Sequence, residues 1–354
     1  MTLLRELRGS FYPTAIGSLP HTSAGDACGK ILKLFKDIPF WPQLVKRSYL
    51  ENMYAQFSEG MPGIVIDREK KTIMADTSKD ISGQIEKVYE KFLADDVEGF
   101  AMSPDYASGF FEFIRQLKKD PGSSRKKFLK GQITGPASFG LTVTDENKRA
   151  ISHNPELKEA MQKTLLMKAR WQIKKLKEIS DKIIIFIDEP YLVSIGSSYV
   201  SLNKEQAFLD LNELIEGIHK EGALSAIHCC GNTDWGFVLG TNIDILNFDA
   251  YEFFGSITLY PGELRKFLDR QGLLAWGIVP SSQKALEEDG ASLIARIEKS
   301  AAALKQKGFT RGDIMDSMII TPSCGCGTLS EDTAEAVFSK TVEISNRLKE
   351  VKNG

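Results

Sequence analysis

Three side chains of metal-binding type occur in two short segments that follow predicted β-strands. His228 and Cys230 are separated by one residue, so on an extended strand they point to the same face, whereas Cys229 points to the other. Cys324 lies in a segment of alternating cysteine and glycine after a later strand. Zinc accepts nitrogen and sulfur donors tetrahedrally and has no redox chemistry. The sequence therefore predicts a zinc ion bound by His228, Cys230 and a cysteine of the segment 323–327, with Cys229 as a packing residue.

The fourth position of such a tetrahedral site has two candidates. Asp249 and Glu252 both follow the predicted strand at 243–248, which comes next along the chain after the strand that ends at His228. Either carboxylate could approach the ion, and the spacing does not decide between them. Three protein ligands with one exchangeable position are typical of a catalytic zinc site, because the open position can bind substrate.

Other predicted strands also end in polar or glycine-containing segments. Asp188 and Glu189 follow the run at 183–187, and Gly17 and Ser18 end the first run. A carboxylate at the end of a buried strand can bind substrate, but it can equally cap the turn that follows. The glycine can simply serve a turn. These residues are therefore candidate substrate-binding groups whose alternative role is local structure.

Eight short apolar runs alternate with longer segments of helical period. The runs lie at 14–18, 97–102, 128–133, 183–187, 224–228, 243–248, 273–279 and 318–321, and the clearest helical segments lie at 155–181, 204–221, 290–307 and 331–349. Nearly all-apolar strands that alternate with helices indicate a parallel sheet covered on both faces. Eight such units predict an α/β fold, a single (β/α)8 TIM barrel over residues 1–354, although a doubly wound open sheet has the same strand count.

One segment departs from this alternation. Apolar runs at 63–67 and 72–76 flank four charged residues and predict a β-hairpin inserted after the first strand. The functional groups of such a barrel lie at the carboxyl ends of its strands. We expect the hairpin to fold over that end.

Composition excludes several classes of protein and partner. Hydrophobic residues make up 42% of the chain and charged residues 26%, as in ordinary globular proteins. The net charge of −2 gives no reason to expect nucleic acid or an anionic membrane as partner. The sequence contains no apolar run of about 18 residues and no signal-peptide pattern at its start. Five cysteines, four of them in two tight pairs, indicate metal binding or catalysis in the cytoplasm rather than disulfides.

Five segments, taken together, resemble the C-terminal catalytic half of cobalamin-independent methionine synthase, within the zinc methyltransferases of the uroporphyrinogen-decarboxylase-like barrel group. They are Thr14-Ala-Ile-Gly-Ser-Leu-Pro20, Lys130-Gly-Gln-Ile-Thr-Gly-Pro136, Ile187-Asp-Glu-Pro190, His228-x-Cys230 and Pro322-x-Cys324-Gly325. Each segment is weak evidence alone, but their order over residues 14–325 is specific. The resemblance implies a TIM barrel, zinc bound by His228, Cys230 and Cys324, and a carboxylate ligand at Asp249, with Glu252 close by.

The resemblance also implies how the amino-acid end of homocysteine is bound. Ile16, Gly17, Ser18, Glu51 and Asp188 would hold it, since carboxylates attract an α-ammonium group and backbone N–H groups can meet an α-carboxylate. Coordination to zinc removes the proton of a thiol whose ordinary pKa is near 8.5, so that the sulfur can attack an electrophilic methyl group. The implied reaction is the methylation of homocysteine to methionine.

Features of the folate-dependent enzymes are missing from this sequence. We expect no second barrel, no tryptophan follows Gly135-Pro136 within 137–142, and no histidine lies in 279–283, where the family has one that helps to protonate the folate nitrogen. A tertiary amine leaves poorly without a proton, whereas cob(I)alamin needs none. The expected methyl donor is therefore methylcobalamin, most simply on a corrinoid protein.

Two other functions are compatible with the same zinc ligands. The acceptor could be coenzyme M or another small thiol, although a sulfonate would require basic residues where Glu51 and Asp188 stand. The chain could also be a zinc- or corrinoid-handling partner without turnover of its own.

Overall fold

The computed structural model describes residues 3–119, 128–195 and 203–353. Its β-strands are β1 (Ser18–Leu19), β2 (Gln43–Leu44), β3 (Ile64–Asp67), β4 (Thr72–Ala75), β5 (Leu129–Thr134), β6 (Thr144–Asp145), β7 (Ile183–Asp188), β8 (Leu224–Cys229), β9 (Ile245–Phe248), β10 (Leu273–Val279) and β11 (Met318–Pro322). Its α-helices are α1 (Leu3–Leu7), α2 (Ala24–Leu34), α3 (Met53–Phe57), α4 (Ser82–Leu93), α5 (Ser108–Lys118), α6 (Pro136–Thr142), α7 (Pro155–Lys177), α8 (Lys204–Lys220), α9 (Trp235–Gly240), α10 (Phe254–Ile257), α11 (Pro261–Asp269), α12 (Lys284–Glu287), α13 (Gly290–Gln306), α14 (Arg311–Asp316) and α15 (Glu331–Asn353).

A parallel six-stranded sheet forms the centre of the fold, in the order β5-β7-β8-β9-β10-β11. All six strands are buried along their whole length, because helices follow the strands and cover the sheet. The register places Asp188 of β7 directly opposite His228 of β8. The prediction of an α/β fold with a mainly parallel sheet is confirmed.

Short contacts continue the pairing beyond both edges of this sheet. Pro13 forms a parallel bridge with Ile320 of β11, Phe40 forms one with Lys130 of β5, and β1 pairs in parallel with β2. These contacts are consistent with a TIM-like barrel of eight units. Continuous strand pairing covers only six of them, and a closed eight-stranded barrel is not detected among the described residues.

The predicted strand at 97–102 is wrong. Val97 has helical backbone angles, and Glu98–Phe100 form a 3₁₀ turn whose Gly99 N–H is bonded to the Asp96 carboxylate at 3.0 Å. The side-chain cap stabilises a turn where the apolar run predicted a strand. The position next to β5 is occupied instead by the segment that leads into β2, where two prolines interrupt the pattern of a strand.

The predicted β-hairpin is present, but it follows β2 rather than the first strand of the ring. β3 and β4 pair antiparallel from Ile64↔Ala75 to Asp67↔Thr72, and β6 adds a third, parallel strand at the side of β4. Thr77 donates to Glu146 near this junction, at 3.1 Å to Oε1. The hairpin residues 64–67 and 72–75 are absent from the lining of the cavity described below, so its predicted position over the strand ends stays a prediction.

The long helices lie where the 3.6-residue period predicted them, with shorter or longer ends. α7, α8, α13 and α15 correspond to the four predicted segments. Asn154, Asn203 and Asp289 cap the first three of these helices with side-chain oxygens, as their residue types favour. Within the described residues, no helix combines the length and apolarity needed to cross a membrane.

The inward-facing side chains of the strands form a compact cluster of their own. Ile184, Phe186, Ala226, Ile245 and Ile319 belong to it and are almost completely buried. This apolar plug lies below the carboxyl ends of β7, β8 and β11, so the polar residues at those ends rest on a rigid support.

Candidate metal centre

The structure brings the three predicted donors together. His228 is in β8, Cys230 follows that strand directly, and Cys324 lies two residues beyond β11. One ligand atom from each of these side chains lies within 4.8 Å of the others. All three also line one cavity. Their convergence comes from strand ends that are distant in sequence, as the alternation of strands and helices predicts.

The imidazole of His228 is held by a hydrogen bond across the sheet. Its Nδ1 lies 2.5 Å from Oδ1 of Asn247, which is completely buried in β9. The other ring nitrogen is therefore the one available to Cys230, whose side chain forms a hydrogen bond with the imidazole.

The two thiols share one proton more readily than they lose both. The hydrogen bond from Cys324, followed by that from His228, lowers the pKa of Cys230 well below that of a free thiol. The hydrogen bond to Cys230 and burial both raise the pKa of Cys324. Burial lowers the pKa of His228, but Cys230 and Asp188 outweigh it and the net direction is upward. A dication here would compensate the charge of a second thiolate, so the donor set suits zinc.

The loop that carries Cys324 is fixed on both sides. Ser281 Oγ donates to the carbonyl of Cys324 at 2.6 Å and accepts from its N–H at 3.0 Å. Cys326 N–H donates to the carbonyl of Ser18 at 2.9 Å. A Cβ on Gly327 would lie 2.2 Å from the Ser18 hydroxyl and 2.7 Å from a methyl group of Val45, so glycine allows this close approach.

Neither predicted fourth ligand joins the group. Asp249 is buried and accepts hydrogen bonds from the N–H groups of Tyr251 and Glu252 at 2.9 and 2.8 Å, both through Oδ1. Burial raises the pKa of Asp249 to about 6. Glu252 forms an ion pair with Lys284 at 2.7 Å. The loop after β9 therefore uses the acidic groups for its own turn and surface, which strand-end position alone could not reveal.

A cavity of about 350 Å³ opens over the three donors. Asp188 lines it, with a side chain that is 8% exposed, and its Oδ1 has no hydrogen-bond partner among the described residues. Burial raises the pKa of Asp188, whereas His228 and the buried Lys130 lower it. The exposed part of this otherwise buried carboxylate lies at the cavity wall, where it is well suited to bind a cationic group.

Of the other predicted substrate-binding residues, some line the cavity and some do not. Ile16 and Ser18 line the cavity, whereas Gly17 lies behind them against the amide of Gln132. Glu51 is not among the residues that line the cavity, and its carboxylate is bonded to other groups of the protein. It accepts from Leu44 N–H at 3.0 Å, from Arg47 at 2.7 Å and from Ser108 at 2.6 Å. These donors come from its own loop and from α5, so Glu51 braces that loop.

Two solved structures have a similar fold. One is a protein from Listeria monocytogenes assigned as a vitamin B12-independent methionine synthase, with 15% sequence identity, a TM-score of 0.57, and coverage of 95% of this chain and 97% of that chain. The other is a B12-independent methionine synthase from a Shewanella species in complex with selenomethionine, with 15% identity, a TM-score of 0.59, and coverage of 97% of this chain and 99% of that chain. No protein-family model and no curated protein matches the sequence.

Several residues that line the cavity were not predicted from the sequence, and Gln43 is one of the polar ones. Gln43 begins the unpredicted β2 and lies next to Ser18. Its Nε2 donates to Gln56 Oε1 at 2.8 Å, and Gln56 in turn donates to the carbonyl of Tyr106 at 2.6 Å. This chain of amides directs the oxygen of Gln43 away from Gln56. The only sequence signal for Gln43 was its position as a polar residue at the end of an apolar run. The nearby prolines made that run look unlike a strand.

Of the two roles considered for Glu189, substrate binding or local structure, its contacts correspond to local structure. It is completely buried and accepts from the N–H groups of Ala137 and Ser138 at 3.0 and 2.8 Å, and from the Ser138 hydroxyl at 2.6 Å. These are the free donors of the first turn of α6, so the carboxylate caps that helix. Burial raises the pKa of Glu189 to about 7 despite these bonds.

A second cluster of metal-binding types lies beside the cavity and is an ion-pair network. His21 is 3.7 Å from Glu335 and 4.0 Å from Glu331. The ammonium group of Lys30 donates to Glu335 and lies 3.5 Å from the ring of His21. Because Lys30 of α2 already pairs with Glu335 of α15, the cluster joins these two helices.

Proposed function

We propose that this protein is a zinc-dependent methyltransferase that methylates the thiol of homocysteine to give methionine. The observation that carries the proposal is the convergence of His228, Cys230 and Cys324 at one cavity that Asp188 also lines. The names of the two proteins with a similar fold support the same reaction, and the selenomethionine bound to one of them is an analogue of the proposed product. The cytoplasm is the proposed location.

The residues of the chain account for binding and orientation. His228, Cys230 and Cys324 would hold the ion, and zinc in that position would supply the Lewis acidity that favours the thiolate form of the substrate. Asp188 binds the α-ammonium group of homocysteine through its carboxylate at the cavity wall, and Ile16 and Ser18 lie at the carboxylate end.

The proposed methyl donor is methylcobalamin, carried by a corrinoid protein. In the transfer, the carbon–cobalt bond breaks with its electron pair left on cobalt, a sulfur–carbon bond forms, and the thiol proton is released to solvent. α6 contains no tryptophan, and Ser281, in the segment where the related enzymes have a proton-donating histidine, holds the loop of Cys324. Neither of these two described segments therefore supplies a group suited to protonate a leaving amine.

The test is methionine formation by the reduced, zinc-loaded protein. Homocysteine is supplied with either methylcobalamin or methyltetrahydrofolate, and cob(I)alamin is followed by its absorbance. Methionine from methylcobalamin alone is the expected result. Methionine from the folate donor would contradict the choice of donor but not of acceptor. Turnover of coenzyme M in place of homocysteine would contradict the proposed acceptor. Absence of turnover with every pair of donor and acceptor would contradict the proposal that the protein is an enzyme.

A further inference from the structure

Asn247 has an orientation that its neighbours determine completely. Its Nδ2 lies 2.8 Å from the carbonyl oxygen of Ala275 and 2.8 Å from Oγ1 of Thr321. A carbonyl oxygen can only accept a hydrogen bond, so the Ala275 side must face the NH₂ group of the amide. The amide oxygen consequently faces Nδ1 of His228 at 2.5 Å. An acceptor at this distance requires that Nδ1 carry a proton.

We propose that Asn247 is a positioning residue that keeps the proton of His228 on Nδ1 and so presents Nε2 as the metal ligand. The inference deepens the proposed function and rests on its zinc site. Histidine ligands are oriented by the hydrogen bond that their other ring nitrogen donates. A neutral amide oxygen fulfils that role here, with the amide itself fixed by two further strands.

The same side chain links the strands that carry the donors. Asn247 is opposite His228 in the pairing of β8 with β9, and opposite Ala275 in the pairing of β9 with β10. Thr321 belongs to β11, three residues before Cys324. One buried amide therefore connects the histidine strand to the strand from which Cys324 follows. Loss of this amide should weaken metal binding, because neither the ring of His228 nor the strand that precedes Cys324 would then be held by it.

Zinc affinity, measured by competition with a chelator, tests the proposal directly. Asn247→Leu keeps the approximate volume and removes the acceptor, and we expect its zinc dissociation constant to rise about 10- to 100-fold. Asn247→Asp keeps an acceptor opposite Nδ1 but loses the donor to Ala275 and Thr321, so its zinc affinity should lie between those of Asn247→Leu and the unmodified protein. Asn212→Leu is the matched control, because Asn212 is a buried amide of α8 that bonds Phe208 and Asn242 away from the site. It should leave zinc affinity unchanged.

A second measurement detects the protonated ring nitrogen of His228 in the unmodified protein. The chain has four histidines, so ¹⁵N-histidine labelling of the zinc-loaded protein gives a short spectrum, and His228→Gln assigns the relevant signals. We expect zinc on Nε2 and a proton on Nδ1. Coordination through Nδ1, or equal zinc affinity of Asn247→Leu and the unmodified protein, would overturn the inference and leave the proposed function standing. Absence of zinc binding by the unmodified protein would instead contradict the proposed function.

Discussion

Replacement of Asp188 separates substrate binding from metal binding. Its side chain is buried except where it lines the cavity, so its carboxylate can pair there with a substrate ammonium group. Asp188→Asn keeps the shape and removes the charge, whereas Asp188→Ala removes the group. Since Asp188 does not belong to the cluster of His228, Cys230 and Cys324, neither change should remove zinc.

The magnitude follows from the kind of hydrogen bond that is lost. A hydrogen bond to a charged partner contributes about 1.5–3 kcal/mol, and one between neutral groups about 0.5–1.5 kcal/mol. Asp188→Asn should therefore cost about 1–2 kcal/mol of binding, or roughly a 5- to 30-fold rise in the KM for homocysteine. Asp188→Ala loses the whole contact and should raise KM roughly 10- to 100-fold.

The assay is steady-state methionine formation with zinc content measured on the same samples. Glu51→Gln is the matched control, because Glu51 is an equally buried carboxylate whose oxygens are all bonded within the protein. It should leave KM within about twofold while lowering stability by about 1–3 kcal/mol. A KM that rises as much for Glu51→Gln as for Asp188→Asn, or a parallel loss of zinc in both Asp188 variants, would refute the reasoning.

Three further predictions follow from the surroundings of the site. Asp249→Ala should weaken zinc binding less than about tenfold, because its Oδ1 serves the loop, and a loss as large as that of His228→Ala in chelator competition would show that it is a ligand. Burial raises the pKa of Glu189 from 4.5 to about 7, so the folded state holds that proton more tightly and stability falls as pH rises from about 4.5 to about 7. The difference is about 3 kcal/mol, and denaturant unfolding of Glu189→Gln should lack that part of the slope. In Gly277→Ala the new Cβ would lie 2.6 Å from the carbonyl oxygen of Phe248, a backbone atom that cannot rotate away. The free energy of unfolding should therefore fall by about 1–3 kcal/mol, and the melting temperature with it. Unchanged stability would contradict this packing.

Strand periodicity and residue spacing were sufficient to predict the central sheet and the convergence of the sulfur and nitrogen donors. Six of the eight predicted runs are strands of one parallel sheet, because buried strands between helices have a clear apolar signal. His228 and Cys230 share a face by the period of two, and Cys324 joins them because parallel strands end on the same side.

The other differences between the predicted and the observed structure have local causes that the periodicity of apolar residues does not reveal. Asp96 caps a turn at 97–102, and prolines hide the segment that leads into β2, so Gln43 was missed at the cavity. Asp249 was predicted from its position after a strand, and Glu51 from the family resemblance. Each is bonded to donors of its own loop, which only the three-dimensional arrangement shows.

Equilibrium zinc binding by the reduced protein tests the central claim most directly. The account predicts one zinc ion per chain, bound by the unmodified protein and lost in both His228→Ala and Cys324→Ala, with the folded state of the variants checked by circular dichroism. Zinc that binds equally well to these variants, or no zinc binding by the unmodified protein, would contradict the claim that the three side chains form a metal site.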